Sequence, residues 1–575
     1  MLKDYFQQEL YQLKELGAEF ARAHPALAPM LMHPAADPDV ERLLEGVAFQ
    51  TAMLRRKLDD DFPEIIQDLV RIIWPHYLRP VPAATTVAFT PVSPLAGPAR
   101  VPAGSTMASI SVEGASCLFR TCCDVDVHPV SILDASFDHP SGQAPHVKMI
   151  MDLGTEKLKD WRVKSLRFFI AGEYAGAADM YFLLMRNLKS ITMRPLEGGE
   201  PVTMPGTFLR DAGFNDNMAL IPYPPHAFPG FRIIQEYFFM PEKFLYVDLC
   251  GWEQWGKRGN GSRFEIYLEF DSLPVRPPRI DKDFFRLNAA PAVNIFDDTA
   301  EPIALDHRKS WYLLRPASSA PNRVFSLEQV KGIAAGTGTE KIYAPFEHFR
   351  PDLDSSAVYH TILRQAPGRT EADLYVAFAC NHLNYPPQKE TISIKLKCTN
   401  GALPENLRTG DIRVNMGCVP QFLSFRNIKP ITPPHSPPLG SNFLWRLVSL
   451  LSLNHLSLGR VENFRALLEF YIFPDCRDAP AVIANRKRIS AIEGLADRPA
   501  DILMAGSIVR GREVKMKMHR DHFISPGDMH IFGSVLDNFL GGYASINSFT
   551  RLKIRETQRG DLYEWPARLG RHQII

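Results

Sequence analysis

Phe62-Pro-Glu-Ile-Ile-Gln-Asp-Leu-Val-Arg-Ile-Ile-Trp-Pro75-His-Tyr-Leu-Arg-Pro80-Val-Pro-Ala-Ala-Thr-Thr-Val-Ala-Phe-Thr90 is the stretch in which the chain changes its periodicity. Up to Ile73 the apolar residues recur at alternating spacings of four and three, the repeat of a packed helix seam. Past Pro80 the text turns β-branched and alternating, as a strand requires. Working backward, the same repeat appears twice more. Phe6, Leu10, Leu13, Gly17 and Phe20 give a first seam, and Val40, Leu44, Val47, Thr51, Leu54 and Leu58 a second. Phe62, Ile66, Leu69 and Ile73 make the third. Asp37-Pro38 with Asp39 and Glu41 starts the second helix, and Arg55, Arg56 and Lys57 near its end complement the helix dipole. A third helix is expected to begin near Pro63 and to stop before Pro75. The reading is therefore an N-terminal helical bundle segment over residues 1–80.

Working forward, the text is β-rich. Val87 to Phe89, Leu118 to Thr121, Val147 to Met151, Leu166 to Ile170, Phe244 to Leu249 and Phe264 to Phe270 read as strands. Tyr174, Ala178, Tyr181, Leu184, Met185 and Leu188 recur at helical spacing and place one crossover helix among them. Leu273-Pro-Val-Arg-Pro-Pro278 breaks both patterns. Further strands follow at Ser310 to Leu314, Val324 to Leu327 and Leu374 to Phe378, up to the proline-rich Lys429-to-Gly440 stretch, which reads as a linker. Beyond it come helices from Phe443, from Val461 to Tyr471 and from Phe532 to Tyr543. Strands near Ile489, at Val514 to Met518 and at Leu552 to Arg555 complete the pattern. The fold class is α+β: the helical segment, β-rich sandwich-like domains at 81–275 and 276–436, and a C-terminal α+β domain at 437–575.

Composition bounds the function. Of 575 residues, 45% are hydrophobic and 22% charged, which fits a folded chain and excludes wholesale disorder. Net charge is +1, so no long-range field draws a polyanion, and nucleic acid is a poor partner. No run of apolar residues suits a membrane span, and direct membrane insertion is not expected. The eight scattered cysteines and the lack of a signal-like start fit a reduced, cytoplasmic protein.

Candidate chemistry is thin. Asp59-Asp60-Asp61 sits between two expected helices, where capping explains it. His519-Arg-Asp521-His522 with His530 resembles a metal set only superficially, since strand geometry sends positions three apart to opposite faces. Gly336-Thr-Gly338 lacks the lysine and the frame of a phosphate cradle and reads as a turn. Cys122-Cys123 follows a strand, not a helix N-terminus, which argues against a reactive thiol. Trp252, Trp255 and Trp311 suit core or turn packing better than sugar binding. Catalytic, cofactor and metal residues are expected to be absent. The candidate partner-facing residues are those of the seams: Phe6, Leu10, Leu13, Phe20, Val40, Leu44, Val47, Leu54, Leu58, Ile66, Leu69 and Ile73.

Ordered strings along nearly the whole chain resemble the TssF family, baseplate subunits of type VI secretion systems. They run from Glu9-to-Phe20 and Ala23-His-Pro25 through Asp37-to-Gly46, Leu58-to-Pro63 and Pro75-to-Pro80. In the middle stand Ile234-to-Phe244, Asn294-Ile-Phe and Glu301-to-Arg308; near the end stand Trp445-to-Asn454, Tyr543-to-Thr550 and Trp565-to-Arg571. Leu540-Gly-Gly542 departs from the pattern, where a bulkier aromatic helix face is expected. The resemblance implies a non-enzymatic scaffold that joins TssG and TssK in wedge complexes, with further copies of itself, around a VgrG spike hub. It also implies that the N-terminal helices enter a core bundle with TssG, and that the baseplate docks at the inner membrane through partner proteins. Val101-Pro-Ala-Gly104 with Phe119-Arg-Thr121 is similar to wedge proteins of contractile phage tails, which makes a phage-type baseplate protein the nearest alternative. A carbohydrate-active β-domain enzyme is the alternative of another class.

Overall fold

The structure is a computed structural model. It describes residues 6–7, 9–11, 13–14, 16, 38–95, 97–223, 228–306, 308–318, 321–335, 338–346, 357–365, 372–380, 389–439, 460–473, 479–504, 506–542 and 544–570. The chain divides into two units, one of residues 1–78 with 438–451 and one of residues 79–437 with 452–575. It is α+β, with strands dominating the larger unit.

In the smaller unit one helix runs unbroken from Pro38 to Ile73, followed by a 3-10 turn at Pro75–Leu78. The second and third helices expected from the sequence are thus a single helix that passes through Pro63. An interior proline removes one N–H donor and crowds one carbonyl, and a long helix survives that loss on its remaining ladder. The Asp59–Asp61 run consequently lies inside the helix and not at a junction. The described residues between Phe6 and Leu16 are helical, while Phe20 lies outside the described residues. The expected three-helix bundle is therefore not what these residues form: they give one long helix and a short helical stretch.

In the larger unit a six-stranded sheet runs in the order Ile412–Asn415, Thr106–Val112, Ala115–Thr121, Ala289–Val293, Ala84–Pro91, Leu423–Asn427. The Val87 reading holds, since Ala84–Pro91 is buried along most of its length between two antiparallel neighbours. A five-stranded sheet centred on Arg263–Phe270 and a four-stranded sheet containing Leu166–Ile170 lie in the same unit. The largest sheet has eight strands, and Glu390–Thr399 shows why it forms. Ile392, Ile394, Leu396 and Cys398 are buried while Thr391, Ser393, Lys395 and Lys397 point away, a strict period of two.

The proline-rich stretch after Lys429 forms an extended strap. Ile428 and Thr432 donate backbone N–H groups to Thr86 and Ala84 at 2.9 Å, and Val81 and His435 exchange hydrogen bonds of 2.8 and 2.9 Å. Pro430, Pro433 and Pro434 lack an N–H, while Thr432 and His435 among them still donate to the neighbouring segment, so rigidity and pairing coexist. Lys429 anchors the strap, with Nζ 2.8 Å from the Gly172 carbonyl and 3.0 Å from Glu242 Oε1.

Helix Tyr174–Arg186 follows strand Leu166–Ile170 as expected, but it packs chiefly on helix Pro526–Gly542 rather than on a sheet. The latter helix is buried on nearly every face, including Ile531, Phe532, Val535, Leu536 and Phe539, so it is a core element. Gly541 and Gly542, the departure noted in the sequence, sit under the side chains of Arg568 and Phe228, which fill the space an aromatic face would take. The strand expected near Ile489 begins only at Ile492, because Ala479–Ser490 is helical.

Candidate partner interface

An isolated helix must bury an apolar stripe, and helix Pro38–Ile73 has more stripes than it buries. Ala48, Ala52 and Val70 are buried, as is Gln67. Leu43 is 68% exposed, Phe49 45% and Met53 49%, with Val47 and Leu69 also exposed. At about 100° per residue, the pairs Ala48/Ala52, Leu43/Val47 and Phe49/Met53 fall on three lines about 120° apart around the axis. Around residues 43–53 one line is covered within the chain, and it carries alanines, which allow close backbone approach; further along, the Phe49/Met53 line is covered at Gln67. The two open lines carry the large side chains.

The candidate residues distribute accordingly. Phe6, Leu10, Leu13, Val40 and Leu44 are half-buried, and Val47 and Leu69 are exposed. Leu54, Leu58, Ile66 and Ile73 lie on the helix, but their side chains fall outside the description, as does Phe20 altogether. Lys14 Nζ meets Glu41 Oε1 at 2.8 Å, which brings the helical stretch around Leu10 beside the start of the long helix. Sequence reasoning missed Leu43, Phe49 and Met53. The signal was present: the apolar pair Phe49/Met53, four residues apart, lies off the seam that a 3.5-residue period selects, and Leu43 stands four residues before the seam residue Val47.

In the larger unit the residues singled out in the sequence are dispersed. Among the described residues no group of three or more His, Cys, Asp or Glu side chains is placed to hold a metal ion. The histidines near Met518 go three ways. His519 Nε2 is 2.5 Å from Glu493 Oε1, the His522 ring is 3.1 Å from the Lys487 carbonyl, and His530 is buried against Trp565. Trp252 and Trp255 are buried, Trp252 standing edge-on to Trp161 with ring centres 5.1 Å apart. Trp311 is half-buried beside His360. Burial pushes the Cys123 thiol up to about 11, and Cys122 rises too, so neither is a ready nucleophile.

One buried carboxylate in this body is fully paired. Asp528, with no exposure, takes the hydroxyls of Tyr174 and Tyr237 on Oδ1 at 2.8 and 3.0 Å, and Arg488 on Oδ2 at 3.0 Å. Burial and the neighbouring Asp528 raise both tyrosines well above their ordinary range, so both stay protonated donors. Leu503 and Ile508, a cross-strand pair, are 76% and 72% exposed. No helix among the described residues is long and apolar enough to cross a membrane.

The chain thus combines exposed apolar lines on one helix with a larger body whose four helices meet at Asp528. Comparison with known proteins places it in a type VI secretion system. The profile "Type VI secretion system, TssF" matches residues 1–572, and the chain belongs to the TssF family. It is 29% identical to the type VI secretion system component TssF1 of Pseudomonas aeruginosa, across 99% of this chain and 98% of that relative. Among solved structures it matches a chain of the TssK-TssF-TssG baseplate subcomplex determined by cryo-electron microscopy. That match has a TM-score of 0.76 and 27% identity, over 92% of this chain and 98% of that one. A chain of the type VI baseplate complex matches in fold over both full lengths, at TM-score 0.61 and 24% identity.

Proposed function

We propose that this chain is a structural subunit of the type VI baseplate, a wedge component that joins a TssG and a TssK protein and carries no reaction of its own. The observation that carries the reading is the pair of open apolar lines on helix Pro38–Ile73, Leu43/Val47 and Phe49/Met53. Two lines about 120° apart from each other and from the covered one fit a helix enclosed by neighbours on more than one side. A TssG helix is the first occupant, and a further copy of this chain is the second. The cytoplasmic setting, attachment to a VgrG hub and docking at the inner membrane through partner proteins follow from the same reading. The relative that supports it sits in a complex described as TssK-TssF-TssG.

Co-expression with the TssG and TssK proteins of the same system, followed by mass measurement of the purified particle, tests this. A stable complex of all three supports the proposal. A chain that elutes alone at every concentration refutes it.

A further inference from the structure

The C-terminal sheet has a closed face and an open one. Met516, Met518 and Ile554 are buried on the side of helix Pro526–Gly542. Side chains alternate along a strand, so the residues between them stand on the other face. The register aligns these in three rows across the strands: Arg498, Glu513 and Arg551; Lys515, Lys553 and Glu564; Lys517 and Arg555. Six cations thus share the face with two carboxylates.

The interior of the face is locked. Glu513 takes Arg551 at 2.5 Å, Lys515 at 3.1 Å and Lys553 at 3.2 Å, and Glu564 takes Lys553 at 3.1 Å. Burial alone would raise the Glu513 carboxyl, but its three donors outweigh that and hold it down to about 2. Lys517, Arg555 and Arg498 are exposed and have no acidic partner among the described residues. Lys517 and Arg555 are direct neighbours on adjacent strands, about 4.8 Å apart along the hydrogen-bonding direction.

We propose that this open face docks an acidic segment of a protein partner, whose carboxylates pair with Lys517, Arg555 and Arg498. Charge complementarity selects the partner, and the strand register sets the spacing of the rows on which the cations stand. An anionic bilayer is disfavoured by the net charge of +1, which gives no field to hold an extended charged surface. A polynucleotide is disfavoured by the net charge of +1, which supplies no field beyond the face itself.

Fluorescence anisotropy of a labelled oligoglutamate peptide, titrated with the full chain, tests the proposal. Saturable binding is expected, and Lys517→Glu with Arg555→Glu weakens it by about tenfold or more. Lys157→Glu with Lys159→Glu, outside this sheet, leaves it unchanged. Mixed phosphatidylglycerol and phosphatidylcholine vesicles are titrated in parallel. If the charge reversal lowers the melting temperature, Lys517→Gln with Arg555→Gln replaces it, with a loss of the same sense expected. The proposal is overturned by absent saturable binding, by equal loss in both charge reversals, or by vesicle binding without peptide binding.

Discussion

The guanidinium of Arg488 and the carboxylate of Asp528 meet at 3.0 Å with the carboxylate wholly buried and the arginine side chain 11% exposed. This contact, with Tyr174 and Tyr237 on the other carboxylate oxygen, ties four helices to one point: Tyr174–Arg186, Pro229–Phe239, Ala479–Ser490 and Pro526–Gly542. Residues more than 350 positions apart in sequence thereby share one hydrogen-bonded acid. The segments before and after the proline strap are held as one body in the larger unit.

Removing that acid strands a buried guanidinium. Asp528→Ala is expected to lower unfolding free energy by about 3–5 kcal/mol, the range for breaking a buried pair from one side. Arg488→Met costs less, because the two tyrosines still donate to the carboxylate. Urea melts of the three proteins give the order, and an equal effect of the two substitutions contradicts the account.

Gly527 sits where the backbone of Ala178 leaves no room for a Cβ. Its N–H also donates to Asp179 Oδ1 at 2.9 Å, so the helix cannot withdraw without losing that bond. Gly527→Ala is expected to cost about 1–3 kcal/mol through overpacking. Gly256→Ala, with nothing within 4 Å of the added carbon, is expected to be neutral in the same thermal melts.

The lesson about legibility lies in these contacts. Strands such as Glu390–Thr399 and Leu166–Ile170 were readable, because a two-residue period is written locally. The α+β class and the family followed from such local text. The merger of two expected helices into Pro38–Ile73 was not readable from Pro63, whose penalty is real but smaller than the gain of a continuous ladder. Nor was the strap after Lys429, since its pairing partners lie about 350 residues earlier in the chain. At the candidate interface the sequence showed that helix edges were apolar. It did not show which edge the chain itself would cover, because that depends on tertiary contacts no period encodes.

His530 supplies a pH prediction. Burial, with Arg186 nearby, lowers its pKa from the usual imidazole range to about 3, and its Nδ1 has no hydrogen-bond partner. The unfolded chain binds a proton there below about pH 6.5 while the folded chain does not, so stability is lost as pH falls from that value toward 3. His530→Phe keeps the stacking on Trp565 and removes the titration. Its melting temperature relative to the parent is expected to be higher at pH 5 than at pH 8; a pH-independent difference sinks the assignment.

The central claim is that large side chains on the open lines of helix Pro38–Ile73 are reserved for neighbours. Leu43→Asp with Met53→Asp changes two exposed residues, each able to contribute about 1.5 to 3 kcal/mol once covered. The decisive measurement is co-purification of this double variant with the TssG protein, alongside circular dichroism and melting of the variant alone. The account predicts unchanged folding and loss of the TssG protein from the complex. Retention of the TssG protein at the parent ratio, by a variant shown to be folded, would contradict it.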